Sequence, residues 1–314
     1  MKRRKKNLNA CKTLSDHPKQ IFLFGNGINK GVKDLETTST FYVGWEDILD
    51  SLNNKYADGR INEIYKKPFP LAYDEIVNYN FSHKTNDEIE IKKFIQIEVG
   101  KIKLNPRYED LPKLRYDEIL TTNYDYLFEK ALNIEWKRKN NFGHREISFS
   151  CYRRQELNEK KIWHIHGEQC SYSSILFGFR HYINYSARVK KQAHDDLFSL
   201  KNKIHLSDQK SSWVKYFFTD NIRIVGLSMK HTEYPLYWVL AYRNYLKESH
   251  PAYIIKNRIE YFIPSFSIEK NRNILEALSS YGVIIRSFEL ENGDYDGFYK
   301  AVFNNRLGEI YNIY

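Results

Sequence analysis

Short apolar runs alternate along this chain with stretches of helical spacing, and polar turns separate the two. Gln20–Phe24, reading Gln-Ile-Phe-Leu-Phe, has the continuous apolar character of a buried strand. Residues 45–56 carry Trp45, Ile48, Leu49 and Leu52 at helical spacing. Residues 71–81 and 86–104 also read as helices, the latter through Ile89, Phe94, Ile97 and Ile102. Pro106 and Pro112 punctuate the chain before a short apolar strand at 119–120. The turn Thr121-Thr122-Asn123-Tyr124-Asp125 follows, and the next helix buries Leu127, Phe128, Ala131 and Leu132. Further strands are predicted at 147–152, 161–166, 221–226, 259–263 and 283–285. Residues 180–218 read as helical in pieces. A helix carries Leu236, Val239, Leu240 and Leu246, another covers 267–280, and a last one covers about 295–306.

Strands that alternate with helices over nearly the whole length imply an α/β fold, a mainly parallel sheet with helices on both faces. The helices from about 45 to 112 form an insert between the first two sheet strands, and residues 1–19 form a basic tail. With 314 residues, 42% hydrophobic and 28% charged, the chain can bury a sizeable core. No apolar run is long enough to span a bilayer, and no signal-peptide pattern follows the basic start. Cys11, Cys151 and Cys170 are isolated, which argues against a disulfide framework or a structural zinc and suits a reducing cytoplasm.

The net charge of +10 favours polyanions such as nucleic acid or an acidic partner. The charge is dispersed, however. Lys137-Arg138-Lys139, Arg153-Arg154, Lys160-Lys161 and Lys190-Lys191 each read as a solvated basic surface.

Three turns each follow a predicted strand: Gly25-Asn26-Gly27, Thr122-Asn123-Tyr124-Asp125 and Gly226-Leu227-Ser228. Glycine there lets backbone approach a phosphate, and the helix N-terminus beyond offers free N–H groups. Each turn taken singly is ordinary strand–helix punctuation, and Asn123 or Asp125 serves as a helix cap. The strand at 161–166 ends in His164-Ile165-His166-Gly167. In a strand the two imidazoles share a face. Without cysteines or a carboxylate set beside them, they read as one core histidine and one, His166, at the strand end where it can take a proton.

These residues resemble a family. Gly25-Asn26-Gly27-Ile28-Asn29, Thr121-Thr122-Asn123-Tyr124-Asp125, His166-Gly167 and Gly226-Leu227-Ser228 stand in the order and rough spacing of the sirtuin fold. They look most like the sirtuin-like NAD hydrolases of bacterial anti-phage defence, over about residues 20–290. Trp45-x-x-Ile-Leu also resembles that branch. The resemblance implies a Rossmann-like catalytic domain over 20–314 without the zinc ribbon of the deacylases. It implies that Asn123 contacts the nicotinamide ribose and positions a water, and that His166 is the general base. Asp125 would lie near the carboxamide. Gly25, Asn26, Gly27, Asn29, Thr122, Gly226 and Ser228 would help hold the dinucleotide. The implied reaction releases nicotinamide and ADP-ribose through an oxocarbenium-like state, depleting NAD in an infected bacterial cell. A homo-oligomer and a partner protein, such as an ATP-dependent DNA translocase or another phage sensor, are expected by analogy. A protein deacylase or ADP-ribosyltransferase, and a DNA-binding scaffold without catalysis, are the alternative classes.

Overall fold

The computed structural model describes residues 12–30, 32, 44–84, 87–116, 118–138, 148–202, 204, 211–250 and 253–313. The basic start of the chain, Cys11, Gly31, Lys139 and residue 147 lie outside them. In chain order the strands are β1 (Lys12–Thr13), β2 (Gln20–Phe24), β3 (Glu118–Thr121), β4 (Arg154–Leu157), β5 (Lys160–His164), β6 (Asn221–Val225), β7 (Tyr253–Ile254), β8 (Ile259–Pro264), β9 (Ile284–Phe288) and β10 (Glu309–Ile310). The helices are α1 (Trp45–Tyr56), α2 (Phe69–His83), α3 (Glu88–Val99), α4 (Leu127–Leu132), α5 (Phe179–Lys201), α6 (Tyr216–Thr219), α7 (Tyr234–Ser249), α8 (Arg272–Ser280) and α9 (Tyr295–Phe303).

Eight strands form one sheet in the order β10-β9-β8-β6-β2-β3-β5-β4, and β1 pairs with β7 in a separate ribbon. The six inner strands are mutually parallel, while β4 and β10 close the edges antiparallel. Counted along the chain, the parallel strands stand in the order 3-2-1-4-5-6, the Rossmann arrangement of dinucleotide-binding folds. The order reverses between β2 and β6, where such sheets open a crevice at their carboxyl edge.

Each inner strand sends alternate side chains to opposite layers. Phe22 and Phe24 of β2 pack with α1–α4 and α9. Ile21 and Leu23 pack with α5–α8. Burial on both faces explains why β2 is an apolar run from Ile21 to Phe24 rather than an alternating one. The helices α1–α3 lie in the chain between β2 and β3, and their apolar residues are continuous with one face of the sheet.

Several expectations are corrected in detail. The face of α3 that turns inward carries Ile91, Ile95 and Val99, while Ile89 and Ile97 are exposed. The sequence offers isoleucines on both faces, so spacing alone does not choose between them. Residues 148–152 form turns, and the strand in this region is β4, whose polar residues suit an antiparallel edge. The stretch that read as broken helix opens with one continuous helix of 23 residues, α5.

The basic clusters also divide. Lys190 and Lys191 are exposed, whereas Arg138 and Arg153 turn inward onto Glu168. Among the described residues no helix is long and apolar enough to cross a membrane.

Candidate active site

Strand register brings the three turns to one level. Phe24 pairs with Val225 on one side and with Thr121 on the other, and Thr121 pairs with His164. The carboxyl ends of β6, β2, β3 and β5 are therefore aligned, and the chain leaves each of them on the same edge. Asn123 lies two residues beyond Thr121, and His166 lies two beyond His164, on neighbouring strands.

The glycine turns meet each other at the switch point. The Gly27 N–H donates to the Gly226 carbonyl at 2.8 Å. A methyl group added at Gly25 or Gly27 would come within 2.9 or 2.5 Å of that same oxygen. Gly226 has φ +63°, and a methyl group there would meet the Tyr299 hydroxyl at 2.6 Å. These glycines thus permit backbone to pack on backbone. Asn26 and Asn29 beside them form a buried chain: Asn29 donates to Asn26 and accepts from Asn105, each at 2.6 Å. Arg107 donates to the Ile28 and Lys30 carbonyls and pairs with Asp296. Ser228 is exposed at the surface beyond Gly226.

The turn after β3 is held by its own polar groups. The Thr122 N–H donates to the Phe24 carbonyl, and the Asn123 N–H to the Thr121 hydroxyl. Asp125 Oδ1 accepts the Leu127 N–H at 3.0 Å, which opens α4. Burial pushes the Asp125 carboxyl up to about 6, while the Leu127 N–H works the other way. The indole of Trp45 on α1 lies against the Tyr124 ring, 5.0 Å between centroids.

His164 and His166 part company at the strand end. Strand geometry stops at His164, and the following turn carries His166 to different neighbours. His164 contacts the Asn123 carbonyl at 3.0 Å through Nδ1 and Glu129 Oε1 on α4 at 2.8 Å through Nε2. Burial alone would lower its pKa, but the Glu129 carboxylate outweighs that and raises it to about 9. The imidazolium clamps the backbone of Asn123 between β5 and α4. His166 instead places Nε2 3.3 Å from Glu233 Oε2, in the turn before α7, and its ring meets Tyr182 edge-on. Gly167 follows with φ +105°, and a methyl group there would lie 2.3 Å from the Ser174 carbonyl oxygen, so the His-Gly pair is a steric necessity of this turn.

Among the described residues a set of buried polar atoms at this edge finds no hydrogen-bond partner: both amide atoms of Asn123, Asp125 Oδ2, the Tyr108 hydroxyl, Glu129 Oε2, His166 Nε2 and Glu233 Oε2. Native interiors rarely leave such groups unmade, and clusters of them mark functional sites. Asn123 and His166 are 1% and 3% exposed, so both are sealed from solvent rather than facing an open cleft. Tyr108 lies where the Asp125 charge and the Asn29 and Asn123 side chains act on its hydroxyl.

Sequence reading missed Tyr108, Arg107, Glu129 and Glu233. Pro235 marks the start of α7. It does not reveal that Glu233 turns inward.

Among the described residues no three histidine, cysteine, aspartate or glutamate side chains converge as metal ligands. Cys151 is buried and Cys170 exposed, both as free thiols.

Residues 117–262 match the SIR2-like domain, which makes this stretch sirtuin-like and supports an NAD-related function. The match holds Asn123, Asp125, His166, Gly226 and Glu233. The β2 turn and the helices α1–α3 precede it. Comparison with curated proteins gives no match.

Proposed function

We propose that this protein is an NAD hydrolase that cleaves the ribose–nicotinamide bond to nicotinamide and ADP-ribose. The observation that carries this reading is that the Asn123 amide and His166 Nε2 are buried without hydrogen-bond partners among the described residues, each two residues past the aligned ends of neighbouring strands at the carboxyl edge of a Rossmann-ordered sheet. The Asn123 amide can orient a ribose hydroxyl or a water without adding charge. Burial pushes the His166 imidazole down to about 3, so at neutral pH the ring is uncharged and serves as a base once a counter-charge offsets the proton it takes. The dinucleotide would lie along the β2–β6 crevice, with Gly25, Asn26, Gly27, Asn29, Thr122, Asp125, Gly226 and Ser228 around it. Trp45, Tyr124 and Tyr182 exclude bulk water from the reacting end.

Sealing of these groups supports regulation, because substrate must displace something to reach them. A partner that opens the site, such as an ATP-dependent DNA translocase or another phage sensor, and self-assembly of the chain fit this need. Depletion of NAD in the cytoplasm of an infected bacterium is the proposed consequence.

The test is nicotinamide release by purified protein, alone and with candidate partners, beside Asn123→Ala and His166→Ala. Wild type should release nicotinamide, and each variant should lose about 10²–10⁴-fold of the rate. A folded wild type that releases none in any assembly state would overturn the reading in favour of a binding scaffold.

A further inference from the structure

Glu233 sits where no motif would place it. It is the last residue before α7, it follows an exposed Lys230-His231 turn, and yet it is 9% exposed. Its backbone is tied at both ends: the N–H donates to the Lys230 carbonyl at 2.9 Å, and its carbonyl accepts the Tyr237 N–H at 3.0 Å. The side chain is thereby aimed at the turn after β5, and Oε2 stops 3.3 Å from His166 Nε2. At that separation the two atoms are not aligned as a hydrogen bond, and neither has one with any other described residue.

We propose that Glu233 is the positioning residue for His166, holding the imidazole through Nε2 and offsetting the positive charge that forms when the ring accepts a proton. The inference rests on the hydrolase reading and adds to it a residue and a pH dependence. In the step, an O–H bond of the ribose hydroxyl or water breaks, its electron pair stays on oxygen, and an N–H bond forms at His166 Nδ1. The proton on Nε2 then points at the Glu233 carboxylate.

The groups around this pair are phenols. Tyr124 comes from the turn after β3, Tyr182 from α5 and Tyr237 from α7, and the Glu233 charge acts on all three. Burial first, and Glu233 with it, holds each phenol above its ordinary range, so all stay neutral over the working range of pH. Lys230 and Glu46 pair with each other at the surface, 3.4 Å apart. The carboxyl of Glu233 is pushed up to about 8 by burial, and burial likewise lowers His166.

The sign of the pH dependence follows. Below about 8 the carboxyl is protonated and offers His166 no counter-charge. As pH rises through about 8 it ionises, and a carboxylate 3.3 Å away stabilises the imidazolium. The rate should therefore rise through that pH.

The experiment measures nicotinamide release from pH 6 to 9.5 for wild type, Glu233→Gln, Glu233→Asp and Glu233→Ala. It is paired with an NMR titration of the His166 ring nitrogens in wild type and Glu233→Gln. Above pH 8 Glu233→Gln should lower kcat about 10- to 100-fold, the order of loss seen when the partner that orients a metal-bound histidine is removed, with KM nearly unchanged. It should also lose the alkaline rise, and Glu233→Asp should restore part of both. The His166 ring-nitrogen titration should differ between wild type and Glu233→Gln by a step near pH 8, where Glu233 ionises, whether or not NAD is turned over.

A wild-type rate and profile in Glu233→Gln, or a faster Glu233→Ala, would overturn the positioning role. The faster variant would mean that the carboxylate blocks the site. An unmoved His166 titration in an active protein removes the pair alone. A moved titration in a protein without turnover removes the hydrolase and leaves the pair.

Discussion

Two histidines two residues apart, equally buried, have opposite fates. His164 bridges Glu129 and the Asn123 carbonyl, and its pKa rises to about 9. His166 faces Glu233 without a hydrogen bond, and its pKa falls to about 3. Next to His164 most polar groups are partnered, with Glu129 Oε2 as the exception. The fully buried Glu168 carboxylate takes Arg138 and Arg153 as ion-pair partners and accepts the Tyr126 hydroxyl. Next to His166 several are left open, at Asn123, Asp125, Tyr108 and Glu233. Burial therefore does not assign a role to a polar residue here. The partners it finds separate the two: His164 is tied into the frame, while His166 lies among several buried polar atoms left without a partner among the described residues.

Substitution should separate the two regions. The largest effect on function belongs to the open one. His166→Gln should cost about 10²–10⁴-fold in nicotinamide release while leaving the urea midpoint nearly in place, because it removes no charge and breaks no hydrogen bond. The largest effect on stability belongs to the partnered one. Glu168→Ala strands two buried guanidinium groups and should destabilise by about 3–5 kcal/mol in urea unfolding. A mild outcome there would collapse the distinction. Glu129→Gln keeps the shape and removes the counter-charge of His164. It should cost about 1.5–3 kcal/mol and slow turnover through the loosened Asn123 backbone.

The smallest effect is in pH. The His164 pair contributes stability that is fully present below its unfolded pKa of 6.5 and is lost as pH rises through about 9. Neutral burial of His166 works the other way, and stability is lost as pH falls from 6.5 toward about 3. Urea midpoints from pH 4 to 10 should thus flatten on the alkaline side in His164→Gln and on the acid side in His166→Gln.

Much of the frame was legible because strands buried on both faces tend to be apolar, as Ile21 to Phe24 is throughout and β6 is at Ile222, Ile224 and Val225 with Arg223 between them. The edges were not. Strand β4 carries Arg154, Gln155 and Glu156, and the paired segments β1, β7 and β10 are two residues long, too short to leave a pattern. Candidate residues next to glycines stood out, since turn chemistry is local. Their convergence was hidden, because it depends on β2 pairing with β6 across most of the chain. Glu233, Tyr108 and Glu129 are ordinary polar letters until tertiary contacts surround them. In α3 both Ile95 and Ile97 fit a helix, and only packing against α1 and the sheet buries the first and exposes the second.

Strand order also sets a clock. Lys19 and Asp220, 201 positions apart, are joined by a 2.8 Å hydrogen bond, and β2 beside them has β6 as one of its two neighbours. At the usual pace of translation, roughly 10–40 s separate the synthesis of those two strands. Until then the strand at the centre of the sheet has one flank open, and Glu233 has not yet been made. The edge that carries Asn123, His166 and Glu233 is therefore assembled only after some three-quarters of the polypeptide has been made, and the activity proposed for it could not precede that point.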